Sequence, residues 1–298
     1  MKIYAPKYYR EFRCIADRCS HSCCVGWEID IDGDTLEKYE TLGGYGEAIR
    51  ESISTDGVPH FKLGAGERCP HLDGRGLCRI IASVGDEYLC DICREHPRFY
   101  NFTDVCEVGI GMSCPEAARI ILGSADYAEI SEIGEVDATA EVGDFDARAE
   151  RGEIYELLSD ASCGYEKRLE RIYERYEIKA GDDGVWLEAI DRLEYLDDAH
   201  RALFMKYSSA RRPDGCDESL ERFLAYFIYR HCTEALDMED FCARLSFCLF
   251  CERLLASLIC SEGAKTGCEI EELARVISEE LEYSEENTYA LMGGEWKS

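Results

Sequence analysis

Residues 18–30 read RCSHSCCVGWEID, with Cys19, Cys23 and Cys24 inside six positions and the last two adjacent. Crowding of this kind constrains the fold more than any other feature of the chain. Thiols so placed end as disulfides, as metal ligands or as reactive nucleophiles, and each outcome demands different surroundings. Ten of the 18 cysteines fall between positions 14 and 114: 14, 19, 23, 24, 69, 78, 90, 93, 106 and 114. The opening segment, MKIYAPKYYREF, is polar and aromatic and shows no secretory h-region. A cytoplasmic location is therefore expected. The thiol pool there weighs against disulfides. Metal or cluster binding is preferred over disulfides and over unliganded structural thiols.

The spacing narrows the choice further. Cys14 and Cys19 precede the adjacent pair, CPHLDGRGLC places Cys69 and Cys78 across a tight turn, and CDIC supplies Cys90 and Cys93. Within this region only Cys90 and Cys93 have the CxxC spacing, so a zinc ribbon, which needs two such pairs, is a poor match. Adjacent side chains ordinarily point apart, so Cys23 and Cys24 are not expected to share one tetrahedral ion. Irregular multi-cysteine spacing suits an iron–sulfur cluster, with zinc as the alternative. His71 and His96 sit beside cysteines but are expected at the surface rather than on a metal. Cys248 and Cys251, at i and i+3, share one face of a strongly apolar helix. Together with Cys163, Cys216, Cys232, Cys242, Cys260 and Cys268 they are read as small buried hydrophobes.

The N-terminal third is short segments divided by Gly, Pro and Asp, with little room for a conventional core. A metal can staple such a segment. From Asp126 to Glu150 there are nine acidic residues and one basic one, a composition that predicts a solvated linker. Beyond it, apolar residues recur at three- and four-residue spacing, as at Tyr165, Leu169, Ile172, Tyr173 and Tyr176. ESLERFLAYFIYRHC is apolar nearly all round from Phe223 to Tyr229, which predicts a central helix. The expected fold class is mainly α: a cysteine-rich, turn-rich metal module over 1–125, an acidic linker over 126–150 and a helical bundle over 151–298. No apolar run reaches the roughly 18–20 residues of a membrane span, so no membrane partner is expected. The net charge of -29 would repel a phosphate backbone, which excludes nucleic acid as an expected partner. The same acidity fits either plain solubility or attraction of a basic, lysine-bearing protein surface.

Several blocks occur in a fixed order. CxxxxCxxxCC is followed by GWEIDID, then RCPHLDGRGLCRI, GDEYLCDICREHPR and MSCPEAARIIL; FLAYFIYRH and ENTYALM follow beyond the acidic stretch. This series resembles the flagellin lysine-N-methylase family, which contains a cysteine module described as zinc- or iron-chelating. The resemblance implies metal ligands at Cys14, Cys19, Cys23, Cys24, Cys69, Cys78, Cys93 and Cys114. Cys90 stands where the family pattern has serine, and Cys106 falls outside the motif; both are expected to be bystanders. The implied activity is methyl transfer from S-adenosylmethionine to lysine side chains of flagellin. Such a transfer needs a neutral amine and an aligned donor, with a carboxylate or tyrosine to take the proton. Asp73, Tyr88 and Glu95 lie in the motif region, but no one of them is singled out as catalytic. Arg94 and Arg98 either bind the donor's carboxylate, damp the charge of a thiolate cluster through hydrogen bonds, or form structural ion pairs. LGGYG at 42–46 lacks a preceding strand and predicts a helix end and turn rather than a nucleotide loop.

Overall fold

The computed structural model describes residues 1–139, 143–179, 183–208, 212–282 and 284–293. The expected linker is thus described except for 140–142. The expected helical domain is described except for 180–182, 209–211, 283 and 294–298. Thirteen α-helices occur among the described residues, as a mainly α chain predicts. Contacts divide the chain into two units, Arg13–Phe99 and a larger unit of Met1–Phe12 with Tyr100–Ser298.

In the larger unit the first strand, β1 (Lys2–Pro6), lies inside a four-stranded sheet. The other strands are β4 (Arg98–Phe102), β5 (Cys106–Ile110) and β6 (Ile130–Glu135), in the order β4-β5-β1-β6. β1 pairs parallel with β5 through Ile3–Cys106 and Tyr4–Glu107, and antiparallel with β6 from Lys2–Glu135 to Pro6–Ile130. This departs from the expected organisation. The ends of the 1–125 segment belong to the larger unit, because an N-terminal strand needs partners for its backbone groups. The acidic stretch supplies one of those partners. β6 carries Glu132 and Glu135, and charge on an edge strand guards against pairing with other chains. Cys106 sits in the sheet core with Ala5 and Val108, as a structural cysteine.

The helices of this unit are α5 (Pro115–Gly123), α6 (Ala147–Leu158), α7 (Tyr165–Arg175), α8 (Asp183–Asp191), α9 (Asp198–Phe204), α10 (Asp217–His231), α11 (Met238–Glu262), α12 (Gly267–Glu282) and α13 (Glu285–Gly293). α10 begins with Asp217 and Glu218 and ends with Arg230 and His231, charges that complement the helix dipole. Its residues Phe223–Tyr229 are all buried, as the unbroken apolar run predicts. α11 is capped by Asp237, whose carboxylate accepts from Asp240 N at 2.8 Å, and stops at Gly263 in the left-handed region (φ 67°). α10 packs on α5, α6 and α11. Of the eight cysteines read as buried hydrophobes, Cys232, Cys248 and Cys251 are buried and their thiols lie in the bundle core. Cys268 is exposed and the other four are half-buried, because they sit at helix ends or on partly solvated faces.

Two buried carboxylates tie these elements together. Glu107 on β5 receives both Arg151 guanidinium nitrogens, at 2.6 and 2.8 Å, and Arg151 also donates to Thr233 Oγ1 at 2.7 Å. Both partners are at most 4% exposed. Glu282 takes His231 Nε2 at 2.6 Å, the Tyr226 hydroxyl at 3.0 Å and the Ser278 hydroxyl. Removing one partner of a buried pair strands the other charge, a loss of about 3–5 kcal/mol. Glu107→Ala should therefore lower the unfolding free energy by that amount in urea denaturation. Replacing Glu107 and Arg151 together by Leu and Met should cost clearly less.

Candidate metal centre

The Arg13–Phe99 unit is built from short pieces: α1 (Gly33–Thr41), α2 (Gly46–Glu51), a two-residue hairpin of β2 (Ile53–Ser54) and β3 (His60–Phe61), α3 (Arg79–Val84) and α4 (Asp91–Glu95). LGGYG is the turn between α1 and α2, with Gly44 at φ 62°, where a side chain would be strained. The unit has a small apolar core after all. Ile29, Ile31, Tyr39, Ile49, Phe61 and Ile80 are buried in it together with Cys69 and Cys90, and Cys24, Cys78 and Cys93 pack against it.

Each thiol reaches that core through local backbone structure. The segment after Cys23 pairs with the one before Cys69: Cys69 N donates to Cys24 O at 2.9 Å and Gly26 N to Glu67 O at 3.1 Å. The CPHLDGRGLC loop closes on Asp73, whose Oδ1 accepts from Arg75 N at 2.7 Å and Leu77 N at 2.9 Å. That turn bridges Leu72 to Cys78 and so returns Cys78 beside Cys69. Asp73 thus makes a turn. Cys90 occupies the N-cap position of α4, and its Sγ lies 3.9 Å from that of Cys93 one turn on. Asp32 fixes this helix to α1. One of its carboxylate oxygens accepts from Thr35 N at 2.9 Å and the other from Asp91 N at 2.8 Å. The Tyr39 hydroxyl donates to Tyr88 O at 2.6 Å, which anchors the loop ahead of Cys90.

The structure therefore gathers Cys24, Cys69, Cys78, Cys90 and Cys93. Their mutual influence shows in their acidities. The hydrogen bond with Cys90, then burial, then the neighbouring Cys90, Cys24 and Cys69 thiols push Cys93 far up. Burial first, then Cys78 and Cys90, push Cys69 up to about 11. Cys90 moves the other way, lowered by its hydrogen bond with Cys93. Cys23 is exposed while its neighbour Cys24 joins the cluster. A hydrogen bond with Cys24 brings Cys23 down to about 7. Cys14 is exposed and its sulfur accepts from Ala16 N at 3.4 Å. Cys19 is half-buried, and Cys114 caps α5 in the other unit. Of the eight expected ligands, Cys24, Cys69, Cys78 and Cys93 are brought together. Cys90, expected to be a bystander, lies with them, fully buried in the core at the N-cap position of α4. Its CxxC spacing with Cys93 was the signal in the sequence.

His71 was expected at the surface and is 2% exposed. Its Nδ1 meets the Tyr45 hydroxyl at 3.0 Å and its Nε2 the Ser52 hydroxyl at 2.9 Å, so both nitrogens are engaged. Burial, reinforced by Arg79, lowers its pKa to about 4 and keeps the ring neutral. Burial lowers His96 likewise to about 4, and its ring meets Trp27 edge-on at 5.6 Å. Arg94 pairs with Asp91 on its own helix, which favours the structural reading, and Arg98 donates to Arg94 O at 3.5 Å.

With His71 occupied, the gathered donors are sulfur alone, a set that suits zinc or an iron–sulfur cluster. A single tetrahedral zinc, with Zn–S bonds of about 2.3 Å, holds its sulfurs about 3.8 Å apart. Among the described residues, the one His/Cys/Asp/Glu trio whose ligand atoms lie within 4.8 Å of one another is His200, Glu279 and Glu280. No three of the gathered sulfurs lie that close together.

Several proteins are similar to this chain. A lysine-N-methylase of Salmonella choleraesuis and one of Salmonella typhimurium are each 30% identical over 142 residues, which cover 44% of this chain and 35% of the relative. The flagellar biosynthetic protein FliU of Salmonella muenchen is also 30% identical over 142 residues, covering 44% of this chain and 82% of the relative. No family model matches the sequence and no solved structure matches the fold. These similarities define a methylase-related class of flagellar proteins. The chain belongs to the flagellin lysine-N-methylase family. The match spans about a third of the length of the lysine-N-methylases. No helix among the described residues is long and apolar enough to cross a membrane.

Asp32 offers a direct test of how the thiols are positioned. Burial tends to raise its pKa, but hydrogen bonds from Asp91 and Thr35 overcome this and leave it lowered. A depressed folded pKa gives stability that is full above the unfolded value and is lost as pH falls through the folded one. Asp32→Ala should cost about 1–2 kcal/mol at pH 7. Asp32→Asn should flatten the acid limb of a stability-versus-pH curve below about pH 4.

Proposed function

We propose that this protein is a protein-lysine N-methyltransferase that uses S-adenosylmethionine, acts on flagellin and carries a cysteine-bound iron–sulfur cluster, with zinc as the alternative metal. The similarity to proteins named lysine-N-methylase carries this reading. Cys24, Cys69, Cys78, Cys90 and Cys93 would supply the thiolates. Bound there, the metal cross-links a unit whose own apolar core is small. In methyl transfer the lone pair of a neutral lysine amine attacks the donor's methyl carbon. The carbon–sulfur bond breaks, its electron pair returns to the sulfonium sulfur, and the amine sheds its proton to a base or water. The work belongs in the cytoplasm, where thiols stay reduced.

One observation favours a second reading, a metal-holding module without chemistry: the match accounts for only 35% of the methylases' length. The two readings separate on anaerobic, metal-replete protein incubated with flagellin and labelled donor, with products mapped by mass spectrometry. Lysine methylation supports the enzyme. Neither methylation nor donor binding supports the module, and methylation of another protein alone discards the substrate.

The rate should rise with pH until the target lysine is neutral, from a reference pKa of about 10.4. It should fall with salt if the acidic surface recruits the substrate, since charges are screened over about 10 Å at 0.1 M.

Purified anaerobically, the protein should be brown and contain iron and sulfide; stoichiometric zinc alone would replace the cluster with the alternative. Cys78→Ser, Cys90→Ser and Cys93→Ser should each lower metal content and melting temperature, while Cys248→Ser and Cys251→Ser leave metal content unchanged. Full metal content in Cys90→Ser would return Cys90 to a bystander.

A further inference from the structure

The larger unit contains a cavity of about 390 Å³ between the end of α7, α8 and α11, lined in part by Tyr176, Glu177, Lys179, Trp186 and Arg253. That volume is in the range of small-molecule sites. The lining is unusual for this chain. The protein as a whole has 62 acidic and 33 basic residues, yet among the described residues lining this cavity two cations face one carboxylate. The aromatic walls are held in place. Trp186 stacks on Phe250 at 5.2 Å with an 11° tilt, and Tyr176 packs on Phe241 at 5.7 Å while its hydroxyl donates to Glu150 Oε2 at 3.0 Å. The Arg253 guanidinium lies over the Phe250 ring at 5.8 Å and donates to the Tyr173 hydroxyl.

Glu177 adds a second observation. It follows the C-cap of α7 with φ 51°, a left-handed conformation that helix ends ordinarily give to glycine. A side chain there strains the backbone, and such strain collects at functional positions. The helix end alone does not call for a carboxylate at this position; the cavity gives the carboxylate a use.

We propose that this cavity binds a nucleoside whose tail carries an anionic group. The base stacks against the indole and phenol rings. The ribose hydroxyls donate to the Glu177 carboxylate, as ribose does to an acidic residue in nucleotide folds. Lys179 and Arg253 take the tail, a carboxylate or a phosphate. S-adenosylmethionine, whose tail carries one carboxylate beside an ammonium and a sulfonium, is one source of that anionic group, and an adenine nucleotide is the other. The first source rests on the methyl-transfer reading and the second does not.

The test is calorimetric titration of the full chain with S-adenosylhomocysteine, AMP and tail-free adenosine. One of the tailed compounds should bind, and adenosine should bind about tenfold more weakly. Lys179→Gln and Arg253→Gln should each weaken the tailed compound about tenfold and leave adenosine unchanged. Glu177→Gly should raise the melting temperature by relieving strain, yet weaken binding about fivefold. That opposition separates a ligand role from a structural one. Binding of AMP but not S-adenosylhomocysteine keeps the cavity and assigns the nucleotide source. Binding of S-adenosylhomocysteine without lysine methylation keeps the cavity and removes the enzyme reading. Failure of both tailed compounds to bind overturns the proposal. So does S-adenosylhomocysteine binding that Cys93→Ser abolishes and Glu177→Gly leaves unchanged, which would put the donor at the thiol centre and keep the methyl-transfer reading.

Discussion

Five thiols converge on the small apolar core of the Arg13–Phe99 unit, and much of that unit's local structure serves to hold them there. The Asp73 turn returns Cys78 to Cys69, the pairing of the Cys24 segment with the Cys69 segment joins those two, and Asp32 docks the helix that carries Cys90 and Cys93. His71, in the same unit, has both ring nitrogens held by hydroxyls. A buried neutral thiol packs like a small hydrophobe, whereas a buried thiolate is costly unless a cation meets it. The same cluster is thus tolerable as packed thiols and well suited to a metal that draws off their protons.

The larger unit solves a different problem. It has apolar surface in abundance: α10 and the middle of α11 are buried on almost every side. Apolar contact is non-directional, so it leaves open which helix face meets which strand. Directional groups settle that. Glu107 and Arg151 join β5 to α6, and the Tyr229 hydroxyl donates to Val108 O at 3.0 Å, which seats α10 on the sheet. Such a buried pair is retained at a cost in desolvation, and fixing one packing arrangement is the use that fits its position.

Helices with a clear apolar period or an unbroken apolar run were legible, α10 most plainly. The cysteine spacing made a thiol cluster legible as well, though not its membership. Cys14 and Cys19 belong to the motif but lie outside the gathered five, and Cys90 departs from the motif but lies inside. His71 read as a surface residue because it sits in a polar turn; its burial comes from Tyr45, Ser52 and Phe61, all distant in sequence. The sheet was hidden for a similar reason. β6 has no strong period, since an edge strand in a charged stretch shows little of its pairing in its own composition.

What is local or additive can be read from the residues directly: the helical class, the excess of negative charge, the turn chemistry at Asp73 and Gly44, and the presence of a thiol-rich region. These follow from propensity, net charge and spacing, which do not need the rest of the chain. Folding in three dimensions settles which thiols meet, that the N-terminal strand belongs with residues past 100, and that Trp186, Glu177 and Arg253 line one cavity. Each of those depends on pairing between segments far apart in the chain. Backbone hydrogen bonds and close packing choose those partners by shape, and shape is not written in any one segment.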